Sequence, residues 1–123
     1  MPFNKDWITQ KIDESAIAFA YSFGNELNRG GFTTSQIRNY FGEVKRIQMK
    51  GLKTSESDFL LLKPKLAYAA KRANKPGAIS FQRVMNEAHE AVACNTPEAE
   101  KRFKNFCDFL EAILAYHKAH GGN

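Results

Sequence analysis

Residues that mark cross-links, metal sites and membrane segments are scarce in this sequence. It contains two cysteines and three histidines among 123 residues, and no apolar run approaches the roughly 20 residues that cross a bilayer. The opening residues, MPFNKDW, lack the apolar stretch of a signal peptide. Two cysteines in a chain without a secretion signal are usually reduced and buried. We therefore expect a cytoplasmic protein with no disulfide and no membrane contact.

Motifs for catalysis are lacking as well. The sequence contains no Gly-rich phosphate loop, no G-x-S-x-G and no H-E-x-x-H. Asp108 and Glu111 lie three residues apart with His117 beyond them, and a hydrolase could use such groups. However, His117 falls within an apolar stripe, where a histidine bonded inside the core is the simpler interpretation. We predict that the protein is not an enzyme and that it holds no metal ion and no cofactor.

What the sequence does contain is helical periodicity. Apolar residues recur three and four apart, and no stretch alternates as a half-buried strand would. The stripes cover five stretches, which in chain order are residues 8–23, 33–51, 55–74, 79–92 and 96–117. A length of 123 residues suits one domain with its own core. We predict an all-α, compact bundle of about five helices, forming a single domain over residues 1–123.

Several helix boundaries carry local signals. Thr33 and Gln36 have the spacing of a capping box at the start of the second helix. Thr96 and Pro97 suit the N-cap and first position of the fifth. Pro64 lies inside the third stripe, and because proline removes an amide donor it predicts either a kinked helix or a break there.

Two aromatic residues lie off the stripe of the first predicted helix. On one continuous helix, Trp7 and Tyr21 would point about 180° away from Ile12 and Phe19. The first helix would then have a second apolar face. That face is either covered by the fifth helix or left for another subunit, since aromatic residues are enriched at interfaces.

The net charge of +5 is unevenly distributed along the chain. Residues 29–83 hold 12 Lys and Arg against three acids, a balance of +9, whereas the remainder holds six basic and ten acidic residues, a balance of −4. A local excess of this kind indicates a surface that meets polyanions rather than a general aid to solubility.

The second predicted helix carries cations around a glycine. Arg38 and Lys45 share one flank, Arg46 and Lys50 lie further round, and Gly42 falls between the two groups. A glycine inside a helix costs about 1 kcal/mol relative to alanine. Two explanations remain open, because the missing side chain would admit either a neighbouring helix or a nucleic-acid phosphate.

The third predicted helix repeats the pattern. Lys65 and Arg72 are seven residues apart on one flank, and Lys71 lies with Tyr68 on another. A charge cluster is often only a solvated face. Two successive helices with so few acids between the cations favour nucleic-acid binding by phosphate contacts, which give affinity without base specificity.

The kind of nucleic acid is not fixed by the charge pattern. The turn NRGGF between the first two predicted helices contains glycines, as helix-turn-helix motifs often do. A helix-turn-helix DNA-binding regulator is therefore an alternative. The sequence has no zinc-finger pattern and no signature of a sheet that stacks RNA bases.

Three stretches together resemble a known family. They are TTSQIRNYFGEVKRI at 33–47, LLKPKLAYAAKR at 61–72 and FLEAILAYHK at 109–118, about a third of the chain. They resemble the small subunit of the type III-A CRISPR effector, the Csm complex, which serves antiviral defence. The resemblance implies a non-catalytic helical bundle, present in several copies, that lines the channel holding guide and target RNA and contacts the backbone and large subunits.

The resemblance also implies which residues meet RNA. The matching cations of the first two stretches are the candidates for contact with the RNA backbone: Arg38, Lys45, Arg46, Lys63, Lys65 and Arg72. The charge pattern adds Lys50 and Lys71, although the family commonly has glycine where Lys71 stands. A protein that holds RNA selected by base pairing needs phosphate contacts and no base readout, which agrees with this pattern.

Overall fold

The computed structural model describes residues 2–122, and within that range the chain forms helices and no strand. The α-helices are α1 (Asp6–Thr9), α2 (Glu14–Arg29), α3 (Thr34–Lys50), α4 (Glu56–Ala73), α5 (Pro76–Val92) and α6 (Ala99–Ala119). A 3₁₀ turn, Leu52–Ser55, joins α3 to α4. Five of these helices are long and α1 is a single turn, so the predicted all-α bundle is confirmed. None of the helices found in this range could span a membrane.

Helix α6 lies at the centre of the bundle. It packs against α1, α2, α3 and α5, and its side chains Phe106, Leu110 and Ile113 are fully buried. Helix α4 lies outside this group and packs on α3 and α5. Helices α3 and α4 are therefore neighbours at one side of the bundle, with their inner faces on the core and their outer faces free of other helices in the described chain.

The prediction of one continuous first helix is wrong. Helix α1 ends at Thr9, and α2 starts anew because the Asp13 carboxylate accepts a hydrogen bond from the backbone N–H of Ala16, at 3.1 Å. The break redirects Trp7, whose ring lies 5.2 Å from that of Phe19. Trp7 is thus buried with Phe19 rather than opposite it.

Trp7 and Tyr21 do not form one outer face. The Trp7 indole N–H donates to the Ser15 hydroxyl at 2.9 Å, which satisfies its polar atom beside the core. Tyr21 is 54% exposed and packs edge-on against Tyr116 of α6. Of the two explanations for a second apolar face, packing within the chain therefore accounts for both residues.

Two further predictions, about Pro64 in α4 and about the start of α6, can be compared with the structure. Helix α4 runs through Pro64 without a break, so of the two alternatives the break is wrong. Helix α6 starts at Ala99 and not at Pro97. The predicted cap is wrong because the Thr96 hydroxyl donates to the Ala93 carbonyl at 2.8 Å, within the turn that follows α5.

Glycines allow close backbone contacts at two places, between α2 and α6 and between the turn after α2 and the start of α5. A Cβ on Gly24 of α2 would lie 2.8 Å from the backbone N of His117 in α6. A Cβ on Gly30 would lie 2.7 Å from the backbone N of Gly77, which donates a hydrogen bond to the Gly30 carbonyl at 3.0 Å. The start of α5 is thereby held against the turn that follows α2.

Candidate nucleic-acid interface

Helix α3 is positioned by the local signals at its two ends. The Thr33 hydroxyl accepts from the Gln36 backbone N–H at 3.2 Å, and the Gln36 side-chain oxygen accepts from the Thr33 backbone N–H at 2.8 Å. The predicted capping box is confirmed. The helix ends at Gly51, whose φ of +94° favours glycine. Because Ile37, Val44 and Ile47 are buried, the opposite side of α3 faces outwards.

Gly42 lies at the middle of that outward side. A Cβ on Gly42 would find no other atom within 4 Å in the part of the chain that the structure describes. Ser35 and Met49, seven residues away on either side, are exposed on the same line. The explanation of Gly42 by a neighbouring helix in this chain is therefore wrong, and the glycine leaves open surface instead.

Arg38 and Lys45 occupy one flank of this open line. Arg38 is exposed and has no carboxylate within 4 Å among residues 2–122. The Lys45 ammonium donates to the Gln48 side-chain oxygen at 3.1 Å and lies 5.7 Å from the centre of the Phe41 ring. Neither cation is neutralised by an acid in the described chain, so both are available to an anion.

A carboxylate on the other flank links α3 to α4. Glu43 contacts Arg46 of the same helix at 2.7 Å and Lys65 of α4 at 2.8 Å. The hydrogen bond from Lys65 is the main cause that lowers the pKa of Glu43, with the charge of Arg46 acting in the same direction. Two cations share one anion, which leaves this cluster net positive and holds Lys65 beside α3.

Two other predicted cations also meet acids. Lys50 lies 4.0 Å from Asp58, and both side chains are more than half exposed. Lys63 lies 3.0 Å from Glu90 of α5. Residues two apart on a helix differ by about 200° in direction, so Lys63 points away from the side that carries Lys65. The structure therefore does not bring Lys63 together with the other candidates.

The outer face of α4 combines cations with apolar side chains. Lys71 and Arg72 are exposed, and the Arg72 guanidinium lies 5.7 Å from the centre of the Tyr68 ring. Tyr68 and Leu61 are 66% and 47% exposed, and Pro64 lies between them on the same side. The spacing 61, 64, 68 is a helical stripe. The sequence interpretation placed Tyr68 on a flank beside Lys71 but did not assign Leu61 or Pro64 to the same side.

A groove separates the outer parts of α3 and α4, and its volume is 160 Å³. We call it the α3–α4 groove, and it is lined by Asn39, Tyr40 and Glu43 of α3 and by Leu62, Lys65 and Leu66 of α4. Sequence reasoning missed it entirely. No local signal could have revealed it, because its walls come from residues more than 15 positions apart that meet only in the folded bundle.

Of the groups considered for catalysis, His117 and Asp108 have structural partners. The His117 ring is buried; its Nε2–H donates to the Phe32 carbonyl at 2.6 Å, and Nδ1 lies 3.1 Å from the Thr34 hydroxyl. Asp108 is paired with Lys104 at 2.9 Å. Burial raises the pKa of the Cys107 thiol to about 12, which makes it a poor nucleophile. No cluster suited to a metal ion occurs among residues 2–122.

Comparison with models of protein families matches residues 10–123 to the family described as Csm2 Type III-A. The chain belongs to the Csm2 Type III-A family. It is therefore a subunit of a type III-A CRISPR complex, from a family of structural small subunits. Comparisons with curated proteins and with solved structures found no match.

The family assignment confirms the resemblance drawn from the three sequence stretches. The matched range includes helices α2 to α6 and all eight predicted cations, whereas α1 precedes it. Membership in the Csm2 family places the chain in a complex with other subunits. The contact of individual cations with RNA stays a prediction.

Proposed function

We propose that this Csm2 family member binds the backbone of RNA along the outer sides of α3 and α4, as a non-catalytic structural subunit. The observation that carries the proposal is the open surface at Gly42 with unneutralised cations beside it. A helix normally avoids glycine because of its cost of about 1 kcal/mol, and at Gly42 no packing contact from residues 2–122 compensates for that cost. In the proposed complex, the close approach of a partner at Gly42 compensates for that cost.

The cations on both flanks suit a phosphate chain. Arg38 and Lys45 lie on one side of Gly42, and Arg46 lies on the other with Lys65 held beside it by Glu43. Exposed ion pairs contribute only about 0–1 kcal/mol, so phosphates can compete with Glu43 for these cations. Lys50, Lys71 and Arg72 extend the surface, whereas Lys63 belongs to the contact between α4 and α5.

The choice of partners is supported by the family and by this surface together. Guide and target RNA are the proposed ligands, and the backbone and large subunits of the Csm complex are the proposed protein partners. Several copies of the chain would assemble in one complex in the cytoplasm, each as a single domain over residues 1–123. Because base pairing selects the target, phosphate contacts without base readout suffice for this role.

The alternative of a helix-turn-helix DNA regulator has less support. It was suggested by the glycines between α2 and α3. Gly30 has a packing role, since it contacts Gly77 at the start of α5. Helix α2 packs on α5 and α6, and α3 packs on α4 and α6. Gly30, one of the two turn glycines, is thus explained by the bundle itself.

Charge reversal tests the proposal directly. Arg38, Lys45, Arg46 and Arg72 are changed together to Glu, and binding of single-stranded RNA and of a guide–target duplex is measured across a salt series. A hydrogen bond to a charged group contributes about 1.5–3 kcal/mol, so losing even two such contacts lowers the affinity by about 100-fold or more. Each lost phosphate contact also lowers the salt slope by about 0.7 to 0.9.

A matched control variant distinguishes an effect of the α3 and α4 surface on RNA affinity from an effect of the net charge. Lys11, Arg83, Lys101 and Lys118 are exposed and lie outside the proposed surface. Reversing these four gives the same net charge as the first variant. The control is expected to keep most of the affinity, and equal losses in both variants would overturn the assignment to α3 and α4.

A further inference from the structure

We infer that the α3–α4 groove is a site for one unpaired nucleobase of the bound RNA strand. The inference rests on the proposed function, since it adds a base contact to the phosphate contacts on the same two helices. The observations that carry it are the size of the groove, its apolar floor with a polar rim, and the cations at its edge.

The size of the groove suits one ring system. Its volume is 160 Å³, far above the roughly 10–15 Å³ that a cavity needs to hold one water molecule. Pockets for drug-sized ligands are about 300–1,000 Å³. The groove is therefore too small for a cofactor or a peptide helix and large enough for a single planar group.

The chemistry of its lining matches a base. The floor is apolar, being formed by Phe32 and Tyr40 beside α4 residues Leu62 and Leu66. The rim carries hydrogen-bonding groups, of which the Asn39 side chain is exposed. A nucleobase has apolar faces and a polar edge, and stacking on apolar or aromatic groups tolerates every base because each has a π-face.

The capping box orients one rim group in advance. The Gln36 side-chain oxygen is held by the Thr33 backbone N–H at 2.8 Å. Gln36 lines the groove, and its Nε2 group has no hydrogen-bond partner within residues 2–122 and can donate to a ligand. Together with the Asn39 carboxamide it offers donors and an acceptor to the edge of a base.

The charges at the edge favour RNA over an apolar protein side chain. Lys65 lines the groove, and Arg46 shares Glu43 with it, so a base in the groove would have its own phosphate near these cations. A base inside a duplex has its faces covered by its neighbours. The groove therefore selects strands that contain an unpaired nucleotide.

Filling the groove tests this inference. Ala69 lines it and is exposed, so the larger side chain of Ala69→Leu would fill part of the groove while leaving the charge and the core unchanged. Ala67→Leu is the matched control, since Ala67 is exposed on the same helix and does not line the groove. The probes are a short single-stranded RNA and a fully abasic ribose-phosphate chain of equal length, with thermal unfolding of each variant as a check of the fold.

We expect the wild type and Ala67→Leu to bind the RNA more tightly than the abasic chain. We expect Ala69→Leu to lose about 5- to 150-fold in affinity for the RNA, the range for one stacked base, with little loss for the abasic chain. Unchanged RNA binding by Ala69→Leu would overturn the base site while leaving the proposed function intact. No RNA binding by the wild type would overturn the proposed function as well.

Discussion

The seam between α2 and α6 and the outer side of α3 each place a glycine in mid-helix, in opposite surroundings. At Gly24 a side chain would collide with the backbone of α6, whereas at Gly42 it would meet only solvent in the described chain. The first glycine is needed by the fold, because backbone atoms cannot move aside as a flexible side chain can. The second weakens its helix without benefit to the packing. The comparison therefore separates a glycine that belongs to the structure from one that belongs to the proposed interface.

The largest effect is expected at the seam. Gly24→Leu should lower the free energy of unfolding by about 3 kcal/mol or more, at the upper end of the cost of overpacking, since a Cβ would already lie 2.8 Å from the His117 backbone N. Urea denaturation of the variant and the wild type measures this. Stability equal to the wild type would mean that α2 and α6 are further apart than described.

The next effect concerns the other helix of the proposed interface. Pro64 is exposed within α4 and cannot donate a hydrogen bond to the Leu60 carbonyl one turn earlier. Pro64→Ala should raise the free energy of unfolding by about 1–3 kcal/mol, since proline is about 3 kcal/mol less favourable than alanine inside a helix. Denaturant unfolding provides the measurement. A loss of stability would show that the proline ring makes a necessary packing contact.

Gly42 should give a smaller change in stability with a change in binding. Gly42→Leu is expected to raise the free energy of unfolding by about 0.5–1 kcal/mol, because leucine is a better helix former and the site is open. It should weaken RNA binding, since the side chain would stand between Arg38 and Arg46. Parallel measurement of stability and RNA affinity decides the matter. Wild-type affinity with lost stability would make Gly42 a packing glycine after all.

The smallest expected effect is a pH dependence of stability caused by the buried His89. Burial is the main cause that lowers the pKa of His89, whose ring stacks on Phe59 and donates to its carbonyl at 2.8 Å, with Lys63 and Glu90 nearby. A histidine with a lowered pKa in the folded state favours its neutral form. The contribution of neutral His89 to the free energy of unfolding is therefore fully present above the pKa of about 6.5 that histidine has in the unfolded chain. That contribution is lost as the pH falls below this value.

This dependence is measured as the fall in melting temperature between neutral and mildly acidic pH. The fall should be smaller in His89→Gln, which cannot be protonated. Changes at Gly42 should leave the pH dependence unaltered, because a Cβ there would find no atom of His89 within 4 Å. An equal fall in His89→Gln and the wild type would assign the acid sensitivity to other groups.

Helix α3 was the part of the fold that the sequence predicted best. Its start depends on Thr33 and Gln36 and its end on Gly51, and all three act through neighbours a few residues away. The helix boundaries were predicted wrongly where side chains make hydrogen bonds that the sequence pattern did not indicate. Asp13 caps a new helix and separates α1 from α2, while the Thr96 hydroxyl bonds to Ala93 instead of capping α6.

The candidate site was predictable in its charges and not in its shape. The flanks of α3 follow from helical geometry, so the placement of Arg38 and Gly42 was available from their spacing. The pairing of Glu43 with Lys65 joins residues 22 positions apart, and the α3–α4 groove exists only once the two helices are packed. Helical periodicity describes one helix at a time, and for that reason it could not show how two helices meet.

The bonds of His117 have a consequence for the order of folding. This residue of α6 fixes Phe32 and Thr34 at the start of α3, which lie 85 and 83 positions earlier in the chain. Contacts so distant in sequence form late, because the long intervening loop must first be closed. During synthesis α6 emerges after the other five helices. The beginning of α3 therefore lacks its hydrogen bonds to His117 while the chain is being synthesised. The proposed RNA surface is complete only after α6 has packed onto the bundle.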